Sequence, residues 1–392
     1  MSRYITAGID LGTCRTRVVI AEAKESNSRR VIKILGIGSA DSHGIRHGYI
    51  ENIDDATRST REAITAAEKK ANLKIRSAFV SIGGIGLESE TNIHSIIIGK
   101  TDSKIEDDDV ERSILGSEEG LKLRNKKVLH RFPLKFKIDG KEIFGRPQGM
   151  QGMKLEVKTL FVTCLDQHLD DFITVVEAAG IDVEDVVASP LAASIVTLSK
   201  PQRTAGCVLA NIGAETVSTA VFEDDTLVSL HVFPIGSTDI TNDIALGLKI
   251  SIEEAEEIKI GKIEHKHSQR RIRDIIEARL GDIFDLIQTH LKKLGRNELL
   301  PAGIIIGGGG SDTPYIEETA KATLRLPARI ATLHTFNDSV SQTPLSGAWS
   351  VAYGLCIFGF DASYASDLSK SNRVRFQKHL HGLREWLQQF LP

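Results

Sequence analysis

A strand, a tight glycine turn and a returning strand are written twice in this chain. Gly8-Ile9-Asp10-Leu11-Gly12-Thr13 follows an apolar run and leads into Val18-Val19-Ile20. Ala210-Asn211-Ile212-Gly213-Ala214-Glu215-Thr216 follows Cys207-Val208-Leu209 and leads into Val217 to Phe222. Gly12 and Gly213 permit turn conformations that a side chain obstructs. Such a turn aims backbone N–H groups into a concavity suited to phosphate oxygens. Two copies in two halves predict a duplicated α/β domain with a nucleotide clamped between the halves. One such turn alone is a weak signal, because it is also simply a connection between two strands.

The order of the other parts strengthens the reading. Gly307-Gly308-Gly309-Gly310 follows a strand and precedes a helix, where adenosine can lie against bare backbone. Glu256 and Lys259 stand at i and i+3 on one helix face and can hydrogen-bond ribose or base; without the loops they would read as a solvated surface pair. Gly236-Ser237 is a further phosphate contact. The expected nucleotide contacts are therefore Asp10, Gly12, Thr13, Cys14, Arg15, Asn211, Gly213, Thr216, Gly236, Ser237, Glu256, Lys259, Gly308, Gly309 and Gly310. Asp10 is expected to hold Mg²⁺, through water, since this ion retains several waters beside a carboxylate. Arg15 is expected to pair with a phosphate.

Length and composition set the frame. A chain of 392 residues exceeds what one core usually supports, so two or more domains are expected. A net charge of −3 gives no bulk reason for nucleic acid binding. The cysteines Cys14, Cys164, Cys207 and Cys356 form no Cys-x-x-Cys pair and fit a reducing compartment. Residues 1–10 lack the features of a signal peptide. The longest apolar run, Ala348 to Phe360, is too short to span a bilayer and reads as a buried helix. A protein neither secreted nor membrane-crossing is expected.

Along the chain, strands are predicted at 5–9, 17–23 and 30–38, with 24–29 as a hairpin loop, followed by a helix over 53–73 capped by Asp54. A strand at 78–82 precedes a change of character. Residues 83–157 are more charged, with strands at 91–98 and 128–138 and a helix at 106–116, and read as an insertion. A strand at 158–163 and a helix at 168–179 return to the first half, and 189–197 reads as a linking helix. The second half opens at Ala205, with strands at 207–210, 217–222, 227–234, 302–306 and 328–332 and helices within 238–294 and at 314–324. Residues 346–359 form the last core helix, 361–372 a polar Ser-rich linker, and 373–391 a final helix.

That final helix carries an apolar stripe. Phe376, Leu380, Leu383, Leu387 and Phe390 recur at helical spacing, widened by Trp386 and Leu391 and flanked by Arg373, Arg375, Lys378 and Arg384. A basic amphipathic helix with aromatics can lie in a membrane interface. The competing expectation is a helix packed on its own core; the polar linker and the cationic face favour the membrane. The pairs His265/His267 and His379/His381 lack further ligands for a metal, and Asp107-Asp108-Asp109 opens a helix, where carboxylates suit the positive dipole end.

Ile-Asp-Leu-Gly-Thr at 9–13, Asn-Ile-Gly-x-x-Thr at 211–216 and Gly-Ile-Ile-Ile-Gly-Gly-Gly-Gly at 303–310 together resemble the superfamily of actin, DnaK-type chaperones and sugar kinases. Within it, Lys127 to Pro133, then Gly149 to Leu155 and Leu160 to Cys164, resemble subdomain 1C of the FtsA family of bacterial division proteins, as does Gly261 after Glu256-Glu257-Ile258-Lys259. The resemblance covers nearly the whole chain. It implies an actin-like two-lobed fold, built of duplicated ribonuclease H-like domains, with a 1C insertion in place of actin's 1B. The implied parts are subdomain 1A (1–82, 158–200 and the closing helix 346–360), 1C (83–157), 2A (201–237 and 301–345), 2B (238–300), the linker 361–372 and the membrane-targeting helix 373–392. It further implies ATP binding, head-to-tail filaments, and recruitment of FtsZ, through its C-terminal tail on 2B, to the cytoplasmic face of the membrane at midcell. Contacts with other membrane division proteins are also implied.

The second loop departs from the family's Asp-x-Gly-Gly-Gly-Thr. Asn211 keeps aspartate's shape without its charge, so it cannot serve as a carboxylate base and attracts Mg²⁺ more weakly. Loss of a general base typically costs about 10²–10⁴ in rate. Ala214 adds a methyl where backbone meets phosphate, and Glu215 repels phosphate if it points inward. Slow or absent hydrolysis is expected, and no catalytic residue is assigned. Two alternatives use the same fold. A PilM-type pilus-assembly protein shares the insertion but needs no amphipathic end of its own; a sugar or acetate kinase needs a base that Asn211 does not supply. A chaperone is disfavoured because no peptide-binding domain follows.

Overall fold

The computed structural model describes residues 3–26, 29–99, 102–262, 269–333 and 346–369. The first lobe opens with an antiparallel meander, β1 (Arg3–Leu11), β2 (Arg15–Ser26) and β3 (Arg29–Asp41). The strands run further than the hydrophobic pattern indicated and absorb most of the expected 24–29 loop. A short hairpin, β4 (Ile45–Arg46) and β5 (Tyr49–Ile50), leads to α1 (Ile53–Ala71). Asn52, not Asp54, caps this helix; its side chain accepts from Asp55 N. β6 (Ser77–Ile82) then lies parallel to β1.

The insertion is a sheet of β7 (Glu88–Ile97), β8 (Lys126–Ile138), β9 (Lys141–Ile143) and β10 (Lys154–Leu165), covered by α2 (Asp107–Glu119). Its strand order is β7-β10-β8-β9. The strand expected at 158–163 therefore completes the insertion instead of returning to the first lobe: all of β10 pairs with β7 and β8, because its residues alternate in register with theirs from Lys154 to Leu165. Ser89 binds the far lobe as well. Its Oγ donates to Leu230 O (2.9 Å) and accepts from Leu230 N (2.8 Å).

After α3 (Asp166–Ala178) comes β11 (Asp182–Ala188), which the sequence reading did not assign. It joins β6 to give the order β11-β6-β1-β2-β3. α4 (Ser189–Thr197) and α5 (Lys200–Ala205) lead into the second lobe. That lobe repeats the first: β12 (Cys207–Ile212), β13 (Val217–Glu223) and β14 (Thr226–Phe233) form a meander. α6 (Ser237–Leu248), α7 (Ile252–Lys259) and α8 (Gln269–Lys293) follow, then β15 (Ile304–Gly307), α9 (Ile316–Leu324) and β16 (Ala328–Ile330). The order β14-β13-β12-β15-β16 has the same pairing senses as the first sheet.

α4 lies between the sheets and is buried on all sides, including Leu191, Ala192 and Val196. Burying each large aliphatic side chain there stabilises the fold by about 1.5–3 kcal/mol. α10 (Ser350–Ser369) packs on β1 and α4 so closely that a Cβ at Gly354 would lie 1.8 Å from Ala192 O. This helix continues through residues 361–369, which had been expected to be linker. The segment carries no Gly or Pro, and polar composition alone does not stop a helix. The amphipathic segment 373–392, with the membrane residues named above, lies outside the described residues, as do the four histidines of the two His-x-His pairs.

Candidate functional site

The two glycine turns end β1 and β12, and the β4–β5 hairpin contacts both. Their backbones match in detail. A Cβ at Gly12 would sit 2.8 Å from Arg15 O, and one at Gly213 would sit 3.0 Å from Thr216 O. In both turns a carbonyl three residues on crowds the place a side chain would take, more tightly at Gly12 than at Gly213. What surrounds them differs.

In the first lobe, Asp10 ends β1 beside Ser81 of β6, whose hydroxyl donates to Asp10 Oδ1 (2.7 Å). Burial pushes the Asp10 carboxyl above the usual carboxylate range, against the opposing effects of the Ser81 hydrogen bond and the Arg17 charge. Thr13 Oγ1 accepts from Gly48 N (3.1 Å), so the β4–β5 hairpin braces the first turn. Cys14 and Arg15 are exposed, and Arg15 is drawn to Asp41, its cross-strand partner on β3, at 3.1 Å. The cation that lies in the cleft is Arg17, directly across from Asp10 on β2. Opposed residues on antiparallel strands share a face. The Arg17 guanidinium lies 5.9 Å from the centre of the Trp349 ring, and a Cβ at Gly309 would be 3.8 Å from its Nη2. Sequence reading missed Arg17; alternation from Asp10 through the register of the meander is the signal that finds it.

In the second lobe, Asn211 packs against the glycine cluster. Gly308 has φ 88°, and a Cβ there would meet Asn211 Oδ1 at 2.6 Å and Ile212 O at 2.4 Å. Gly310 N donates to Ile212 O (2.9 Å), while Gly309 is left exposed toward the cleft. Gly236 and Ser237, expected as a phosphate contact, have their amides engaged within the protein. Gly236 N donates to Asp239 Oδ2 (2.8 Å) and Ser237 N to Gly213 O (2.9 Å), so this helix start supports the turn from behind. Lys259 is also committed. Its buried ammonium donates to Ser237 O (3.1 Å) and Thr241 Oγ1 (2.8 Å) and pairs with Glu256 Oε2 (2.7 Å). Glu256, half-exposed, is the member of that pair left facing solvent.

Glu215 points neither at a phosphate position nor away into solvent. Its Oε2 accepts from His47 N (2.6 Å), and His47 Nδ1 lies 3.4 Å from Glu215 O. His47 and Gly48 form the turn of the β4–β5 hairpin, both with positive φ (48° and 79°). One two-residue turn therefore touches both loops, Thr13 of one lobe and Glu215 of the other.

The lining suits a phosphate chain: side-chain-free backbone at Gly12, Gly213 and Gly309, with a guanidinium between the lobes. It suits a protein-held divalent cation less well. Asp10 is the carboxylate present, it already sits beside Arg17, and Asn211 is neutral. An ion carried by the phosphates with its own waters fits this donor set better than one ligated directly.

Comparison with known proteins places the chain. Residues 208–350 match the family model of the cell division protein FtsA, and residues 84–163 match that of the SHS2 domain inserted in FtsA, which coincides with the insertion sheet and includes most of β10. FtsA of Pseudomonas aeruginosa is 27% identical over 99% of this chain and 98% of its own length. Among solved structures, a PilM–PilN type IV pilus biogenesis complex aligns with TM-score 0.66 at 15% identity, covering 90% of this chain and 98% of that one. MreB5 of Spiroplasma citri bound to ADP aligns with TM-score 0.51 at 13% identity, covering 94% and 99%. These structural likenesses establish the actin-like fold. No helix among the described residues is long and apolar enough to cross a membrane. With both halves of its architecture and its insertion accounted for, the chain belongs to the FtsA family of cell division proteins.

Proposed function

We propose that this chain is a nucleotide-responsive scaffold of the division machinery. It binds ATP between the lobes, hydrolyses it slowly or not at all, and assembles head to tail. It holds FtsZ filaments to the cytoplasmic membrane face through the amphipathic segment 373–392. The observation that carries the reading is the pair of matching glycine turns facing one cleft in a chain that aligns with FtsA along its whole length. The neutral Asn211 and the engaged Glu215 support binding over turnover. FtsZ recruitment through the α6–α8 region, filament contacts through the insertion, partners among membrane division proteins, and a midcell, peripheral location belong to the same reading and rest on family membership.

One experiment tests its core. Full-length protein with ATP on anionic vesicles should form membrane-bound filaments visible by electron microscopy, and a version ending near Lys370 should stay off the lipid. Each cation near an anionic surface contributes about 1 kcal/mol, so a single tail binds reversibly and assembly raises avidity. Undiminished vesicle binding by the shortened chain would remove the anchor from the proposal. Absence of ATP binding would remove the cleft.

A further inference from the structure

Three parts of the molecule, far apart in sequence, meet on the short β4–β5 hairpin. Gly48 N donates to Thr13 Oγ1 of the first glycine turn (3.1 Å), and His47 N donates to Glu215 Oε2 of the second (2.6 Å). The third part is the root of the insertion. Gly48 and Gly84 lie backbone against backbone: a Cβ at Gly48 would sit 2.5 Å from Gly84 Cα, and one at Gly84 would sit 3.0 Å from Gly48 O. Both glycines have positive φ, 79° and 91°, so neither place suits the side chain that would part them.

Tyr49, the next residue, touches both ends of the insertion. Its ring packs on that of His168 in α3, with centroids 4.4 Å apart. Buried His168 donates from Nε2 to Gly83 O (2.7 Å), where the chain leaves the first lobe. A Cβ at Gly86 would lie 2.5 Å from the Tyr49 hydroxyl and 3.3 Å from Leu165, where the chain returns. Close-packed contacts of this kind transmit a displacement with little slack. They form one contiguous route from the two glycine turns to the entry and exit of the insertion.

Charge and hydrogen bonding set the sign. Thr13 Oγ1 accepts from Gly48 N through a lone pair, which leaves its own proton for a phosphate oxygen. Hydrogen bonds in series strengthen one another. A phosphate chain also repels a carboxylate, so it favours Glu215 on the hairpin over Glu215 turned toward the cleft. Both effects tighten the hold on His47 and Gly48.

We propose that the β4–β5 hairpin couples the cleft to the insertion: a phosphate ligand fixes the hairpin turn, and the turn fixes the insertion's root. The proposal rests on the nucleotide reading above. Such coupling is reciprocal, so whatever loosens the root weakens the ligand by the same factor.

The test reads both ends of the route. Amide hydrogen exchange of the full-length chain is followed over residues 83–88, which include the Leu87 N–H bonded to Gly84 O (3.1 Å), with and without saturating ATP in excess Mg²⁺. Exchange there should slow about fivefold with ATP. Gly86→Ala, whose methyl displaces the Tyr49 hydroxyl, should weaken binding of a fluorescent ATP analogue by about the same factor. Adding Tyr49→Phe to it removes the obstructing oxygen and should restore affinity, which a general folding defect would not allow. The coupling is overturned, and the nucleotide reading stands, if ATP binds and leaves exchange over 83–88 unchanged. It is equally overturned if Gly86→Ala binds the analogue as tightly as the native chain, or if Tyr49→Phe fails to repair it. If the native chain does not bind the analogue, both readings are overturned.

Discussion

The two glycine turns share a backbone and differ in everything attached to it. In the first lobe, Asp10 is a buried carboxyl, braced by Ser81 and opposed by Arg17. In the second, Asn211 is neutral and wedged against Gly308, and Glu215 has turned to the other lobe's hairpin. The strand pairing and the steric demand of the turn persisted while the side chains took separate work. A carbonyl three residues on forbids a side chain at Gly12 and crowds one at Gly213, whereas nothing in the fold demands a carboxylate at Asn211. Matching architecture is therefore no guide to matching chemistry here: one loop keeps a carboxyl group facing Arg17, and the other reaches the opposite lobe's hairpin through Glu215.

Several substitutions would break or sharpen that contrast. The largest effect is expected at Gly308, where φ 88° and three contacts under 3 Å leave no space for a methyl. Gly308→Ala should cost about 3 kcal/mol, read as a fall in thermal midpoint. Gly213→Ala, with 3.0 Å to Thr216 O, should cost clearly less, and an equal loss would show that the second loop is packed more tightly than this geometry. Next is Asn211→Asp. If the first loop's chemistry is what the second lacks, single-turnover ATP hydrolysis should rise by about 10². An unchanged rate would place the missing group elsewhere.

Acid should also weaken the first lobe's sheet. β11, the first lobe's counterpart of β16, ends at Ala188, whose N–H donates to Nε2 of buried His130 (3.0 Å). Burial, with a smaller effect of the Arg131 charge, pulls the His130 ring down to about 3. The folded state thus favours the neutral ring more than the unfolded chain does. This contribution is complete above the ordinary histidine value near 6.5 and is lost as pH falls from there toward 3. At pH 5 the loss should be about 2 kcal/mol in chemical denaturation, and His130→Gln, whose amide oxygen accepts at any pH, should flatten it. The smallest effect is expected at the hairpin contact. Glu215→Gln keeps a hydrogen bond to His47 N but removes its charge, and should cost about 1 kcal/mol or less. Equal stability with altered nucleotide affinity would assign the contact to the cleft instead of the fold.

The turns and the duplicated meanders were legible in the sequence because they are local: glycine, alternation and a returning strand all lie within a short window. The linking helix 189–197 was legible for the same reason. What escaped was set by distant pairing. β10 reads as any apolar strand, and only its register with β7 and β8 assigns it to the insertion. Arg15 and Arg17 are equally basic in sequence; Asp41, over twenty positions on, takes one and leaves the other in the cleft. Gly236 and Ser237 looked available until the carbonyl of Gly213 and the carboxylate of Asp239 claimed their amides. Glu215 could be read inward or outward, and the hairpin that receives it carries no pattern of its own.

Ser89 gives the insertion a dual allegiance. The chain leaves and re-enters the first lobe on either side of it, yet one hydroxyl exchanges both hydrogen bonds with Leu230 at the margin of the second lobe's sheet. Were the two lobes to separate, either the hydrogen bonds at Ser89 would break or the insertion would tilt with the second lobe.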